Sequence, residues 1–196
     1  MLFSLIGFNA LSQEFDEKNF TLYSTKDGLS HNYINSITQD QYGYIWIATY
    51  KGLNRFDGST FQQFYSDSGS NSLPQNLLLK LKWLDAKQLA IPTFSGLHII
   101  NIENLAGQNI FITADPVHPT YDVNKICDAS SGNSGDIFVI TTSGFYHFNN
   151  KKELIFRFDY FSGVHSSKIY SFGWNINKID DNTLLLSTFA GPSSIK

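Results

Sequence analysis

The sequence predicts an all-β chain: a β-propeller of about four consecutive four-stranded blades, the last incomplete, belonging to a larger, seven-bladed ring. Three observations predict it. A strand-length apolar run followed by Thr-x-x-Gly occurs four times, at residues 45–52, 89–96, 137–144 and 184–191. The glycines that close these runs, Gly52, Gly96, Gly144 and Gly191, are 44, 48 and 47 residues apart, a period that suits four-stranded propeller blades. The composition agrees: 42% hydrophobic and 15% aromatic residues against 16% charged supply a core and favour strands.

Residues 1–13 are apolar and uncharged, too short a run for a helix to span a bilayer. They resemble the core of a secretory signal, with Ala10 and Ser12 at the −3 and −1 positions of a cut before Gln13. The domain expectation is therefore a signal remnant at 1–12 and a partial propeller at 13–196, with blades at about 28–65, 73–112, 121–160 and 168–196. After a polar lead-in, residues 20–24 alternate like a strand, and Lys26-Asp27-Gly28 supplies a turn.

In the first blade, strand A is expected at 33–39 and strand B at 44–49, with the Asp40-Gln41-Tyr42-Gly43 turn between them. Strand B is apolar on both faces, as a strand sandwiched between neighbouring blades must be. Strand C follows at 53–56. Asp57-Gly58 reads as a two-residue type I′ hairpin, leading to strand D at 60–65. The second blade offers strands at 77–83, 88–93 and 97–101, with Pro92 expected to disturb its ladder because it has no N–H to donate. The third offers 121–128, 136–141, 145–148 and 155–160, with a longer polar turn over 130–135. The fourth has 170–179 and 183–188 around Asp180-Asp181-Asn182, and the chain ends within its third strand.

Several function classes lack a signal. The net charge of −3 and the absence of a basic tract exclude the electrostatic footprint of a nucleic-acid binder. Cys127 stands alone and reads as an inert strand thiol. His31, His98, His118, His147 and His165 are scattered, with no metal-ligand spacing. No Gly-x-Ser-x-Gly elbow and no phosphate loop occur. Asp40 and Asp57 read as turn residues and Trp46 as blade packing. No catalytic residue, metal or cofactor is expected in this region.

In A–B–C–D order, the B–C tips and the D–A connections emerge on one face. Tyr50, Phe94 and Phe189 fill the same slot after the repeated threonine, beside Lys51 in the first blade. His31, Asn32 and Tyr33, then Asn76, then Tyr121, stand where each strand A begins. Aromatic faces ringed by amides and hydroxyls suit an oligosaccharide or similar small polar ligand, whose apolar ring faces stack while its edges hydrogen-bond. These nine residues form the candidate ligand site.

At Leu29-Ser30-His31-Asn32, Asp40-Gln41-Tyr42-Gly43, Ile45-Trp46-Ile47-Ala48-Thr49 and Gly52-Leu53-Asn54-Arg55-Phe56-Asp57-Gly58, the chain resembles the two-component regulator propeller repeat. The later blades keep Thr-x-x-Gly but carry Ala90, Phe138 and Leu185 in the Trp46 slot. The resemblance implies the exported, periplasmic sensor region of a bacterial histidine kinase or hybrid two-component system, reporting plant or host glycans. It places the kinase and the membrane span outside this sequence. Homodimerisation is the expected self-association. The competing readings are a propeller lyase or lactonase and a non-catalytic interaction scaffold.

Overall fold

The structure, a computed structural model, describes residues 20–69, 72–113, 123–159, 173–180, 183–188 and 191–195. The signal-like residues 1–12 lie outside these, as do Tyr121, His165 and Phe189. The described residues form four antiparallel sheets, each a meander in chain order. The first holds β1 (Ile34–Gln39), β2 (Ile45–Thr49), β3 (Gly52–Phe56) and β4 (Phe61–Phe64). The second holds β5 (Lys82–Trp83), β6 (Gln88–Thr93), β7 (Gly96–Asn101) and β8 (Gly107–Ile110). The third holds β9 (Ile126–Ser131), β10 (Ile137–Thr141), β11 (Gly144–Phe148) and β12 (Leu154–Asp159), and the fourth β13 (Gly173–Asp180), β14 (Thr183–Thr188) and β15 (Gly191–Ile195). The all-β propeller architecture is borne out.

The apolar second strand of each blade explains the packing. Successive side chains of a strand point to opposite faces, and here the two faces serve different cores. Trp46, Ala48 and Leu53 of the first blade meet Leu89, Ile91 and Ile100 of the second. Ala90, Leu97 and Ile99, on the second blade's other face, meet Ile137, Val139 and Tyr146 of the third. Ile140 and Phe145 then turn the other way, onto Ile176, Leu184 and Leu186 of the fourth. Each interior blade is thus covered on both sides.

The structure corrects the local reading at several points. Residues 20–24 form no strand. Ser24 instead caps a short 3₁₀ turn, Thr25–Asp27, accepting the Lys26 N–H while the Asp27 carboxylate accepts the Ser24 N–H. Phe20 and Leu22 stay exposed, and Tyr23 packs edge-on against Phe56 and Phe61. The turn at Asp57 is not type I′, which needs positive φ at both central residues. It is centred on Gly58-Ser59, with positive φ at Gly58 only, and the Asp57 carboxylate accepts the N–H groups of Ser59 and Thr60.

Strand A of the second blade is two residues long rather than seven, because its ladder with β6 stops at Ala90. Pro92 leaves the other ladder intact: the register with β7 runs unbroken from Gln88↔Asn101 to Thr93↔Gly96. That blade's fourth strand, for which no bounds were expected, is β8. Strand A of the third blade starts at Ile126 and runs on to Ser131, so the polar turn begins at Gly132.

Candidate ligand-binding face

The repeated Thr-x-x-Gly shapes the B–C hairpin tips. In the first blade the Thr49 hydroxyl donates to the Gly52 carbonyl at 3.0 Å and accepts the Lys51 N–H at 3.0 Å. Thr93 does the same with Gly96 at 2.7 Å and Ser95 at 3.1 Å. Thr141 accepts the N–H groups of Ser143 and Gly144 at 2.9 and 3.0 Å. All three threonines are buried, so their hydroxyls satisfy backbone groups that water does not reach. The glycine is required twice over at Gly52: its φ is +117°, and a Cβ there would lie 2.6 Å from the Phe64 carbonyl oxygen. The motif fixes the backbone; in the first blade it leaves both intervening residues, Tyr50 and Lys51, exposed, whereas in the third blade Ser143 is buried.

The start of strand A is fixed by a second device. Asn54, fully buried on β3, accepts the Ser30 N–H at 2.8 Å and donates to Ser30 Oγ at 2.7 Å. Ser30 Oγ lies 2.9 Å from Thr49 Oγ1, joining the strand-A start to the B–C tip. The Asn32 side chain accepts the Thr25 N–H at 2.8 Å, so it holds the preceding turn.

On this scaffold the structure brings three of the candidate residues together. The rings of Tyr33 and Tyr50 meet edge-on with centroids 4.4 Å apart, and His31 lies edge-on to Tyr50 at 6.0 Å. His31 Nδ1 accepts the Tyr33 N–H at 3.0 Å, which leaves Nε2 to carry the proton of the neutral ring. Tyr33 is 57% and Tyr50 43% exposed, and Lys51 is exposed beside them. Asn76 stands at the same face but is occupied. Its carbonyl accepts the Gly52 N–H at 2.8 Å and its side chain the Ser66 N–H at 2.6 Å, tying the B–C tip of the first blade to the connection into the second. The neighbouring tip repeats the link, with Ser95 Oγ donating to Gln75 Oε1 at 3.2 Å. Phe94 is half-buried in the second tip. Asn32 and Asn76 therefore build the face, while His31, Tyr33, Tyr50 and Lys51 present it; Tyr121 and Phe189 lie outside the described residues.

Other polar side chains of the repeats are engaged away from this face. Trp46 is fully buried and its indole N–H donates to Asp40 Oδ2 at 2.8 Å, while Asp40 Oδ1 accepts the N–H groups of Tyr42 and Tyr44. His98 is buried with Nδ1 2.7 Å from Asn109 Oδ1. The Asn109 amide nitrogen donates to the Ser72 carbonyl, so its oxygen faces His98 and Nδ1 carries the proton. Burial holds the His98 pKa below its ordinary value, against the hydrogen bond to Asn109 that raises it. His147 Nε2 sits 2.8 Å from Asp136 Oδ2. Burial pushes the half-buried Cys127 thiol up to about 11, far from a thiolate nucleophile.

One cluster had no counterpart in the sequence reading. Asp128 on β9, fully buried, accepts the Ile176 N–H and lies 3.1 Å from Lys80 Nζ and 3.7 Å from Lys82 Nζ. Lys80 also donates to Asn175 Oδ1 at 2.6 Å. This polar knot joins the inner strands of the second, third and fourth blades. Lys80-x-Lys82 spacing was its available signal, since alternate residues share a face, but the partners are 46 or more residues away.

Comparison with known proteins shows what the chain is similar to. Residues 28–51 match the two component regulator propeller family. Histidine kinase P4 of Formosa agariphila is 40% identical over 60 residues, which is 30% of this chain and 4% of that protein. Among solved structures, the extracellular domain of BT3049 from B. thetaiotaomicron, named as a hybrid two component system, superposes with a TM-score of 0.68 at 22% identity, covering 90% of this chain and 26% of that one. Virginiamycin B lyase from Staphylococcus aureus gives a TM-score of 0.54 at 13% identity, covering 82% of this chain and 54% of that one. At such identities the structural likeness is one of fold. The chain spans about a quarter of the BT3049 domain and a small fraction of the kinase. The likeness to the two component regulator propeller repeat falls within the first blade.

Proposed function

We propose that this chain is part of the extracytoplasmic ligand-sensing propeller of a two-component signalling protein, non-catalytic itself, whose kinase and membrane anchor are separate segments. The observation that carries this reading is the open His31–Tyr33–Tyr50 group on a face whose backbone is rigidly pinned. The other polar residues of the same repeat, half-buried Ser30, exposed Asn32 and buried Thr49 and Asn54, are consumed in holding it. The match of residues 28–51 to a sensor-associated repeat supports it, and among the described residues no helix is long and apolar enough to cross a membrane. An oligosaccharide suits the face, because edge-on tyrosines offer a ring plane for an apolar sugar face and hydroxyls at its rim.

The lyase alternative needs convergent acid, base or metal-ligating side chains. Among the described residues no three such groups stand together; His98 and His147 are each engaged within their own blade. The test is titration of the chain with a panel of neutral and acidic plant and host oligosaccharides, read by intrinsic fluorescence. Tyr50→Ala should weaken the best ligand roughly three- to tenfold, the worth of one aromatic contact, without lowering the melting temperature. Unchanged affinity would move the site elsewhere, and no binding across the panel would favour the scaffold reading.

A further inference from the structure

We infer that the cleft between the outer strands of the second and third blades is a separate binding site for a small amphipathic carboxylate, an aromatic or branched-chain carboxylic acid, with Lys152 as its anion-binding group. The cleft measures about 260 Å³, just below the roughly 300–1,000 Å³ typical of pockets for drug-sized ligands, so its occupant is small. Ile110, Ile112 and Phe148 line it and are buried, forming an apolar floor. Phe111 and Leu154 line it too but stay 59% and 39% exposed, leaving an aromatic ring and a branched side chain open to solvent at its mouth. A floor of this kind takes hydrocarbon and rejects a bare inorganic ion.

Lys152 supplies the charge. It sits in the hairpin between β11 and β12, which is locked by its own hydrogen bonds. The Asn149 side chain accepts the N–H groups of Lys151 and Glu153 and donates to Glu153 Oε2, and the Lys152 N–H donates to the Asn149 carbonyl. Within this lock Lys152 has a φ of +66°, where glycine or asparagine is the usual occupant. The backbone thus fixes the direction of a lysine rather than of a residue suited to the turn. The residue is half-buried, and among the described residues its ammonium has no hydrogen-bond or ion-pair partner. Asp85 and Asp136 lie near enough to favour its charged form, yet Asp136 is held by His147, and burial outweighs both in depressing the lysine's pKa. Asn109, also in the lining, is committed to His98 and Ser72. A partly desolvated cation beside an apolar pocket is matched by one ligand chemistry: a carboxylate on a hydrocarbon body.

The test is calorimetric titration of the 196-residue chain with 3-phenylpropionate, and with 3-phenylpropanol as its uncharged counterpart. Saturable binding of the acid in the millimolar range or tighter is expected, with the alcohol at least tenfold weaker. Lys152→Gly, which suits the positive φ and should leave the melting temperature intact, should weaken the acid roughly ten- to hundredfold, and Lys152→Arg should retain it. Phe111→Ala should weaken acid and alcohol alike, and Tyr50→Ala neither. Equal binding of acid and alcohol, affinity indifferent to both Lys152→Gly and Phe111→Ala, or no saturation by about 10 mM would overturn the assignment.

Discussion

At the scale of single residues, stability turns on a few buried polar groups that each have one good partner. Trp46 is the clearest. Its indole fills the interface between the first two blades, stacks on Phe64, and satisfies a carboxylate oxygen that is itself sealed from water. Trp46→Phe keeps the ring but orphans Asp40 Oδ2, so it should cost about 2–4 kcal/mol by urea denaturation. His98 makes a pH-dependent contribution. Burial depresses its folded-state pKa below the unfolded value, so the unfolded chain binds more protons in between. Its contribution is therefore complete above the ordinary histidine pKa and is lost as the pH falls below it toward the folded value. His98→Asn, which copies the residue at the same slot in the first blade, should flatten this acid-side slope when unfolding free energies are compared between pH 7.5 and pH 5.

At the scale of elements, the hairpins and the inner strands use different chemistry. The hairpins are local, and for that reason they were legible in the sequence: Thr-x-x-Gly is a threonine clamp with a glycine where a side chain does not fit, repeated in the first three blades. The apolar-on-both-faces strands were legible too, because burial on two sides leaves no polar alternation. The inner strands are not local. Asp128 gathers Lys80, Lys82 and Ile176 from two other blades, and no spacing in the chain announces that meeting. Asp128→Ala should destabilise the chain, by less than the roughly 3–5 kcal/mol expected for a fully sealed pair, because both lysines keep partial access to water. A matching loss in Lys80→Met, and non-additivity in the double variant, would show that the two act as one unit. The candidate site was legible by its slots. What the slots hid was division of labour, since Asn32 and Asn76 turn out to be struts while His31, Tyr33 and Tyr50 face outward.

At the scale of the molecule, one face of the first blade packs on the second blade, and among the described residues the other face meets no neighbouring sheet. On that other face Ile37 is 59% exposed beside its buried cross-strand partner Ile47, with Ile34 at 40%; on the fourth blade Ile179 is 60% exposed. An apolar patch of this kind drives association. Sedimentation of the 196-residue chain should show concentration-dependent self-association, reduced by Ile37→Lys, and a monomer at all concentrations would contradict it.

The alternation along β6 and β10, with odd and even side chains belonging to different cores, makes the molecule behave as a row of dominoes rather than as a single drop. Each blade packs its apolar side chains only against its neighbours, so disruption of the core has to travel along the row, with Lys80 and Lys82 as the polar reach from the second blade to the fourth. Amide exchange should accordingly be slowest in β6 and β10 and quicken toward β1 and β14. The same arrangement means that a swap at Ala90 speaks to the third blade while one at Ile91 speaks to the first. Two adjacent letters of one strand are thus read by two different audiences.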